Sequence, residues 1–160
     1  MNNDSSTNIM RHRSRVYSKM MFVIRELTKR AHNHDNSCFG VEEAPILDEI
    51  LPEINNTDTI DPSSETFNQD RYDYLMRRKE LVDALHFKEN DHHPEHFESS
   101  ICGMNVIQLT EMVCDWIAKS KEQGTDIWND LKNYKENYSI SEDLYNILIN
   151  SVEYLLDKGV

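Results

Sequence analysis

The stretch Met104-Asn105-Val106-Ile107-Gln108-Leu109-Thr110-Glu111-Met112-Val113-Cys114-Asp115-Trp116-Ile117-Ala118-Lys119-Ser120 carries the clearest structural signal in the chain. Val106, Leu109, Val113 and Trp116 recur at steps of three and four, with Ile117 beside Trp116. That spacing lines up apolar side chains on one face of an α-helix. Gly124 closes the segment. Glu111 and Asp115 sit beside the stripe, four residues apart. Two like charges at that spacing disfavour a helix by a few tenths of a kcal/mol unless a cation lies between them.

The same period appears elsewhere. From Arg11, the residues Val16, Met20, Val23, Leu27 and Ala31 predict a long helix running close to His34. Residues 1–10 read as a disordered tail. Glu42 to Leu51 predicts a short helix broken by Pro45 and Pro52. Residues 53–68 contain Asn55-Asn56, Asp61-Pro62 and Ser63-Ser64 and read as a solvated loop. A second long helix is expected over Asp70 to Phe87, with Tyr74, Leu75, Leu81, Val82 and Leu85 inward. The last helix is expected to open on a capping box of Ser139 with Glu142 and to continue through Leu144, Ile147, Leu148, Val152 and Leu155. No alternating strand pattern competes, and there are only four glycines. The expectation is an all-α fold: one compact domain of about five to six helices over 11–160.

The 160 residues fit one domain with a real core. A net charge of −12 argues against a protein that wraps a nucleic-acid polymer, since such proteins carry basic patches. It leaves room for a small phosphorylated substrate, because a metal supplies positive charge. No apolar run is long enough for a membrane span, and the N-terminus has no apolar segment of the kind that leads a secreted chain. Cys38, Cys102 and Cys114 show no C-x-x-C spacing. The expectation is a reduced, cytoplasmic setting, with no membrane partner and a homo-oligomer left open.

Chemistry concentrates at Asn90-Asp91-His92-His93-Pro94-Glu95-His96. Imidazole and carboxylate together form the ligand set for Zn, Mn, Fe, Co or Ni. A second group, His32-Asn33-His34-Asp35, ends the first long helix, and Glu111 with Asp115 is the third. His34, Asp35, His92, His93 and Asp115 are the expected ligands of a divalent metal, with Mg also allowed. His92 and His96 share a face if their segment is helical, though Pro94 fits the first turn of a new segment and not a helix interior. His86 lies just upstream of the cluster. His12 is excluded, because 22 residues of unbroken helix put it roughly 33 Å from His34 at 1.5 Å per residue. The bland alternatives are a solvated helix end at His34-Asp35, a polar turn at 91–96 and a surface carboxylate pair at Glu111 and Asp115.

The runs Ala84-Leu85-His86-Phe87, Asn90 through Phe97, Gly103-Met104 and Leu109 through Trp116 resemble a small uncharacterised family whose members occur in phages and bacteria. The resemblance extends from about His12 to Leu155. Its specific marks are His-His-Pro-Glu-His and a downstream Glu-Met-x-x-Asp-Trp. Cys38 stands where that family tends to have Lys, which removes a phosphate contact, and Glu89 stands where a further His is common. More distantly, His34-Asp35 and Asp115 are similar to the His-Asp pair and later Asp of the HD superfamily of all-α, metal-dependent phosphohydrolases. The remaining His would come from His86, His92 or His93 instead of an upstream helix.

The uncharacterised family gives residues and no activity; the HD similarity implies a metal-dependent phosphohydrolase, expected to act on a nucleotide or similar small phosphoester. Glu111 or Glu95 is then the expected base, and His86 or His96 the expected acid. The rival expectation is a non-enzymatic acidic phage-type binding protein. It would mimic nucleic acid or block a host factor, in the host cytoplasm if phage-encoded, with a structural metal. A metal-free helical domain with a polar histidine pocket is the third.

Overall fold

The computed structural model describes residues 5–157, and among them it contains seven α-helices and no strand. In chain order, α1 (Ser5–Asn33) is followed by a 3-10 turn (Asn36–Phe39) and by α2 (Ala44–Ile54), α3 (Thr57–Ile60) and α4 (Gln69–Glu89). Two further 3-10 turns, Pro94–His96 and Ser100–Gly103, lead to α5 (Val106–Gln123), α6 (Ile127–Asn137) and α7 (Glu142–Asp157). The expected all-α class is the observed one.

Two apolar clusters hold five of these helices, α2 and α4 to α7. Met112, Val113 and Trp116 of α5 pack with Ile127 and Leu131 of α6, Ile140, and Leu148 and Val152 of α7. Trp116 stacks on Tyr134, with ring centroids 4.1 Å apart. Each such buried side chain contributes about 1.5–3 kcal/mol by leaving water. The second cluster joins Ile46 and Ile50 of α2 to Leu75 and Val82 of α4. The space between the two clusters is bordered by the C-terminal ends of α1 and α4 and by the polar edge of α5.

Local chemistry explains the boundaries. Asn105 caps α5 by accepting from the amides of Ile107 and Gln108, and the Gln108 side chain accepts from the Asn105 amide in return. Gly124 ends α5 at φ 66, a backbone that costs glycine little. Asn68 and Asp126 cap α4 and α6 in the same manner as Asn105.

Several expectations are corrected. α1 begins at Ser5, so residues 5–10 are helical and not a tail; residues 1–4 lie outside the described residues. α2 is unbroken: Pro45 sits in the first turn, where no amide bond is lost, and Pro52 is accommodated inside the helix near its end. The loop at 53–68 is interrupted by the short α3. Tyr74 and Leu81 face solvent, since the apolar face that α4 turns to α2 is carried by Leu75 and Val82. Val106 is 70% exposed. The cause is that α5 buries two faces, an apolar one against α6 and α7 and a polar one carrying Gln108 and Asp115, which turns Val106 outward. Ser139 has φ 50 and caps nothing; Ser141 Oγ accepts from the Leu144 amide at 3.4 Å instead. α6 was not anticipated, although Asp126 and the four- and three-residue steps Ile127, Leu131, Tyr134 announce it.

Candidate metal centre

His34 and Asp35 follow directly on α1, where the helix gives way to the first 3-10 turn. Asp35 has φ 52, the left-handed backbone that Asp tolerates better than most residues. That turn brings both side chains, adjacent in sequence, to the same side. His86 reaches in from the last turn of α4, and Asn90 then terminates the helix. His92 and His93 follow in the next turn and are buried, both held down by the fully buried Pro94 that starts the second 3-10 turn. Asp115 projects from the polar edge of α5 and is buried.

These side chains converge. Asp35, His86, His92 and His93 each offer one ligand atom within 4.8 Å of the others, and so do His34, Asp35, His92 and Asp115. Asp35 and His92 are common to both sets. Asp35 Oδ1 lies 3.4 Å from His86 Nε2 and from His92 Nε2. His34 Nε2 lies 3.5 Å from Asp35 Oδ2 and from Asp115 Oδ1. Buried polar atoms almost always have hydrogen-bond partners. Yet Asp35 Oδ1, His92 Nε2 and His93 Nε2 are buried and have none. Three orphaned lone pairs at one point, all of metal-ligand type, fit a divalent cation.

Carboxylates stand behind the imidazoles. Glu111 Oε1 is 2.9 Å from His34 Nδ1, and Glu43 Oε2 is 3.0 Å from His86 Nδ1. With the proton on Nδ1 donated to the carboxylate, each ring keeps Nε2 as a lone pair facing Asp35. This is the second layer that fixes tautomer and ring orientation in metal sites. Glu43 is only 2% exposed, and its Oε1 has no partner. A wider network holds this layer. Arg30 bridges Glu111 and Asp91, and Asp91 also accepts from Gln108 at 2.6 Å. Lys119 pairs with Asp115 Oδ2 at 2.7 Å, leaving Oδ1 toward the centre. Asn90 donates to Ser37 Oγ at 2.7 Å and ties the turn after α1 to the end of α4.

Protonation follows the geometry. Burial pushes the His93 imidazole down to about 3, helped by the charges of His92, Lys119 and His86. Burial also lowers His92, against the pull of Glu111 and Asp35. Both rings are therefore neutral, as ligands must be. Burial would raise Asp35, but His86 and the charges of His34 and His92 outweigh it and hold the carboxyl at about 2. Burial opposes the proton on His86, yet Asp35 and Glu43 prevail and raise it. A third set, Cys38, Glu43 and His86, has the same compactness. Its thiol is pushed up to about 11 by burial and then by the charges of Glu43 and Asp35, so it keeps its proton and backs His86.

Two clefts adjoin the centre. One of about 210 Å3 is polar and includes Lys29, Arg30, Asn90, Asp91, His92 and Glu111. The other, of about 450 Å3, is mostly apolar and includes Leu27, Ala31, His34, Cys114, Asp115 and Ala118.

The structure brings together His34, Asp35, His86, His92, His93, Glu111 and Asp115. His86, expected either as an acid or as the remaining ligand, falls in the ligand set. Glu95 and His96 lie elsewhere: Glu95 accepts from the Tyr138 hydroxyl at 2.7 Å, and the exposed His96 donates from Nδ1 to the Phe87 carbonyl at 3.0 Å. The 3-10 turn after Pro94 sends them away from His92, so His92 and His96 share no helix face. His12 lies far up the unbroken α1, on an exposed stretch. Glu43, Arg30 and Gln108 were missed. A carboxylate two residues before Pro45 at a helix start carries no metal signature in sequence, and Arg30 and Gln108 act only through partners distant along the chain.

No helix among the described residues is long and apolar enough to cross a membrane. Comparison with functionally described proteins gives no match, and comparison with solved structures gives none either. The profile of a family of unknown function, DUF5662, matches residues 1–154, nearly the whole chain, and this protein belongs to that family.

Proposed function

We propose that the protein is a metal-dependent phosphohydrolase that acts on a small phosphoester of the nucleotide class, with a donor set similar to that of the HD superfamily. The observation that carries this reading is the convergence of three buried, unpartnered donor atoms, Asp35 Oδ1, His92 Nε2 and His93 Nε2, beside a polar cleft that His92 lines together with Lys29, Arg30 and the carboxylates Glu26, Glu89, Asp91 and Glu111. His86, His34 and Asp115 complete two overlapping ligand sets. Their nitrogen and oxygen donors suit Mn, Fe, Co, Ni or Zn better than a thiolate-seeking ion. Such a cation supplies a water of lowered pKa and polarises a phosphoryl oxygen.

The chain's own residues do the rest. Lys29 and Arg30 border the polar cleft and meet the negative charge of a phosphoryl group. Arg30 is already oriented by Asp91 and Glu111. Glu111 holds the His34 proton on Nδ1 and is therefore a positioning residue; the expected role of free base does not suit a carboxylate with both oxygens engaged. The apolar cleft beside His34 and Asp115 accommodates the organic part of the ester. Clefts on two sides leave room for water and substrate, which favours an open catalytic site over a closed structural one.

The test is phosphate release from mononucleotides, nucleoside triphosphates and simple phosphomonoesters with Mn, Co or Mg. Wild type should turn over at least one of them, and Asp35→Ala should lose both bound metal and turnover. A protein that binds metal at these residues and releases phosphate from none would move the assignment to a binding protein with a structural metal.

A further inference from the structure

Among the described residues, no apolar core covers the first half of α1. Residues 5–20 are exposed throughout, and no residue of the 29-residue helix is buried. Its inner end does line a cleft with α5, through Leu27, Arg30 and Ala31. Beyond that, Ile9, Val16, Met20 and Val23 continue the face of Leu27 at helical spacing, all exposed, with Met20 at 60%. A solvated helix of this length is marginal alone, and its stability comes from packing an apolar face. Arg11, Arg15 and Lys19 also stand four residues apart, where like charges repel.

A matching surface exists on the same molecule. α5 and α7 enclose a groove of about 500 Å3 lined by Val106, Leu109, Val113, Leu144, Ile147 and Leu148. It is lined mostly by apolar side chains, and Val106 and Ile147 (59% exposed) stand open on its rim. Charge complements shape. The stretch Ser5–Met20 carries Arg11, Arg13, Arg15 and Lys19 and no carboxylate. Helix α7 carries Glu142, Asp143, Glu153 and Asp157 and no Lys or Arg. Across the chain the division persists: α1 holds seven of the 17 basic and one of the 29 acidic residues, a net of +6 against −18 for the rest.

We infer that the protein forms a two-fold homodimer in which the basic, apolar first half of α1 from each copy lies in the α5–α7 groove of the other. A two-fold pair makes each contact twice and closes, so no open chain of molecules results. Pairing α1 with α1 would instead set four basic side chains against four. An anionic membrane or nucleic acid would attract the helix but repel the −18 body that carries it.

Sedimentation equilibrium on the full chain tests this. Wild type should have twice the chain mass at 10 μM. Met20→Glu on the helix and Ile147→Glu in the groove should each raise the dissociation constant at least tenfold and, as monomers, match the far-ultraviolet circular dichroism of wild type diluted to monomer, since both positions are exposed. Each variant keeps the surface the other has lost. An equimolar mixture of the two should therefore recover a heterodimer through one intact contact. A monomeric wild type at 100 μM would overturn the proposal, as would a dimer indifferent to Ile147→Glu. Recruitment of monomeric wild type to phosphatidylserine vesicles or duplex DNA would do so as well, by assigning the helix another occupant.

Discussion

His34 and His86 reach the centre from the ends of different helices, yet each donates a hydrogen bond from Nδ1 to a carboxylate, Glu111 and Glu43. The pair of carboxylates sets which ring nitrogen is free. Glu43→Gln keeps the shape and can rotate its amide nitrogen toward His86, which reverses the polarity of that hydrogen bond. Metal affinity should fall on the order of 10- to 100-fold, the usual loss for such outer partners, with the fold intact. A competition assay with a chelating dye measures it; unchanged affinity would remove Glu43 from the site. Glu111→Gln should act similarly through His34 and should also release Arg30. Glu43 was invisible in sequence because its role depends on His86, 43 positions away, whereas His92-His93 announced themselves by sheer local density. Glu95 and His96 share that density but not the site, because a 3-10 turn rotates side chains out of register with an α-helical reading.

At the scale of the element, α5 does two jobs. Met112 is fully buried in the α5–α6–α7 cluster, and Asp115 one turn along is buried toward the centre. Met112→Ala should destabilise the protein by roughly 2–5 kcal/mol through lost burial and a cavity. At about 2–4 °C per kcal/mol for a chain of this size, the melting temperature should drop by around 10 °C. Asn105→Ala removes the N-cap and should cost about 1 kcal/mol, a few degrees, in the same melt. A drop as large for Asn105→Ala as for Met112→Ala would mean that the packing assigned to Met112 is wrong. Periodicity located this helix and, through Leu109, Val113, Trp116 and Ile117, its core face, but it turned Val106 inward and passed over Met112. Val106 and Met112 are both apolar, and only the presence of α6, with its Ile127 and Leu131, decides which of them is inside.

At the scale of the whole molecule, the two packing clusters clamp a polar centre, and the metal-free fold should be acid-sensitive for that reason. His93 titrates near 3 and His92 is lowered, against about 6.5 in an unfolded chain. Between those values the unfolded state binds more protons, so stability is full above pH 6.5 and declines as pH falls toward 3. Asp35, at about 2, adds stability that is kept above its ordinary value of 3.8 and lost as pH falls through 2. His86 works in the opposite sense, since its raised pKa contributes stability below 6.5 that is lost as pH rises through the raised value. Urea titrations of metal-free protein at pH 7.5 and 4.5 should show a lower midpoint at 4.5, and added Mn or Co should raise the midpoint at 7.5 by more than at 4.5, where protons compete. Equal midpoints at the two pH values would contradict the buried, neutral histidines.

The claim on which the rest depends is that a cation sits between Asp35, His92 and their neighbours. Crystals grown with Mn or Co and measured at the metal's absorption edge test it most directly. An anomalous peak is predicted within coordination distance, about 2.0–2.2 Å, of Asp35 Oδ1 and His92 Nε2, with His86 and His93 or His34 and Asp115 completing the shell. Metal-bearing crystals with no peak at that point, and with a water or another side chain bonded to Asp35 Oδ1, would contradict it.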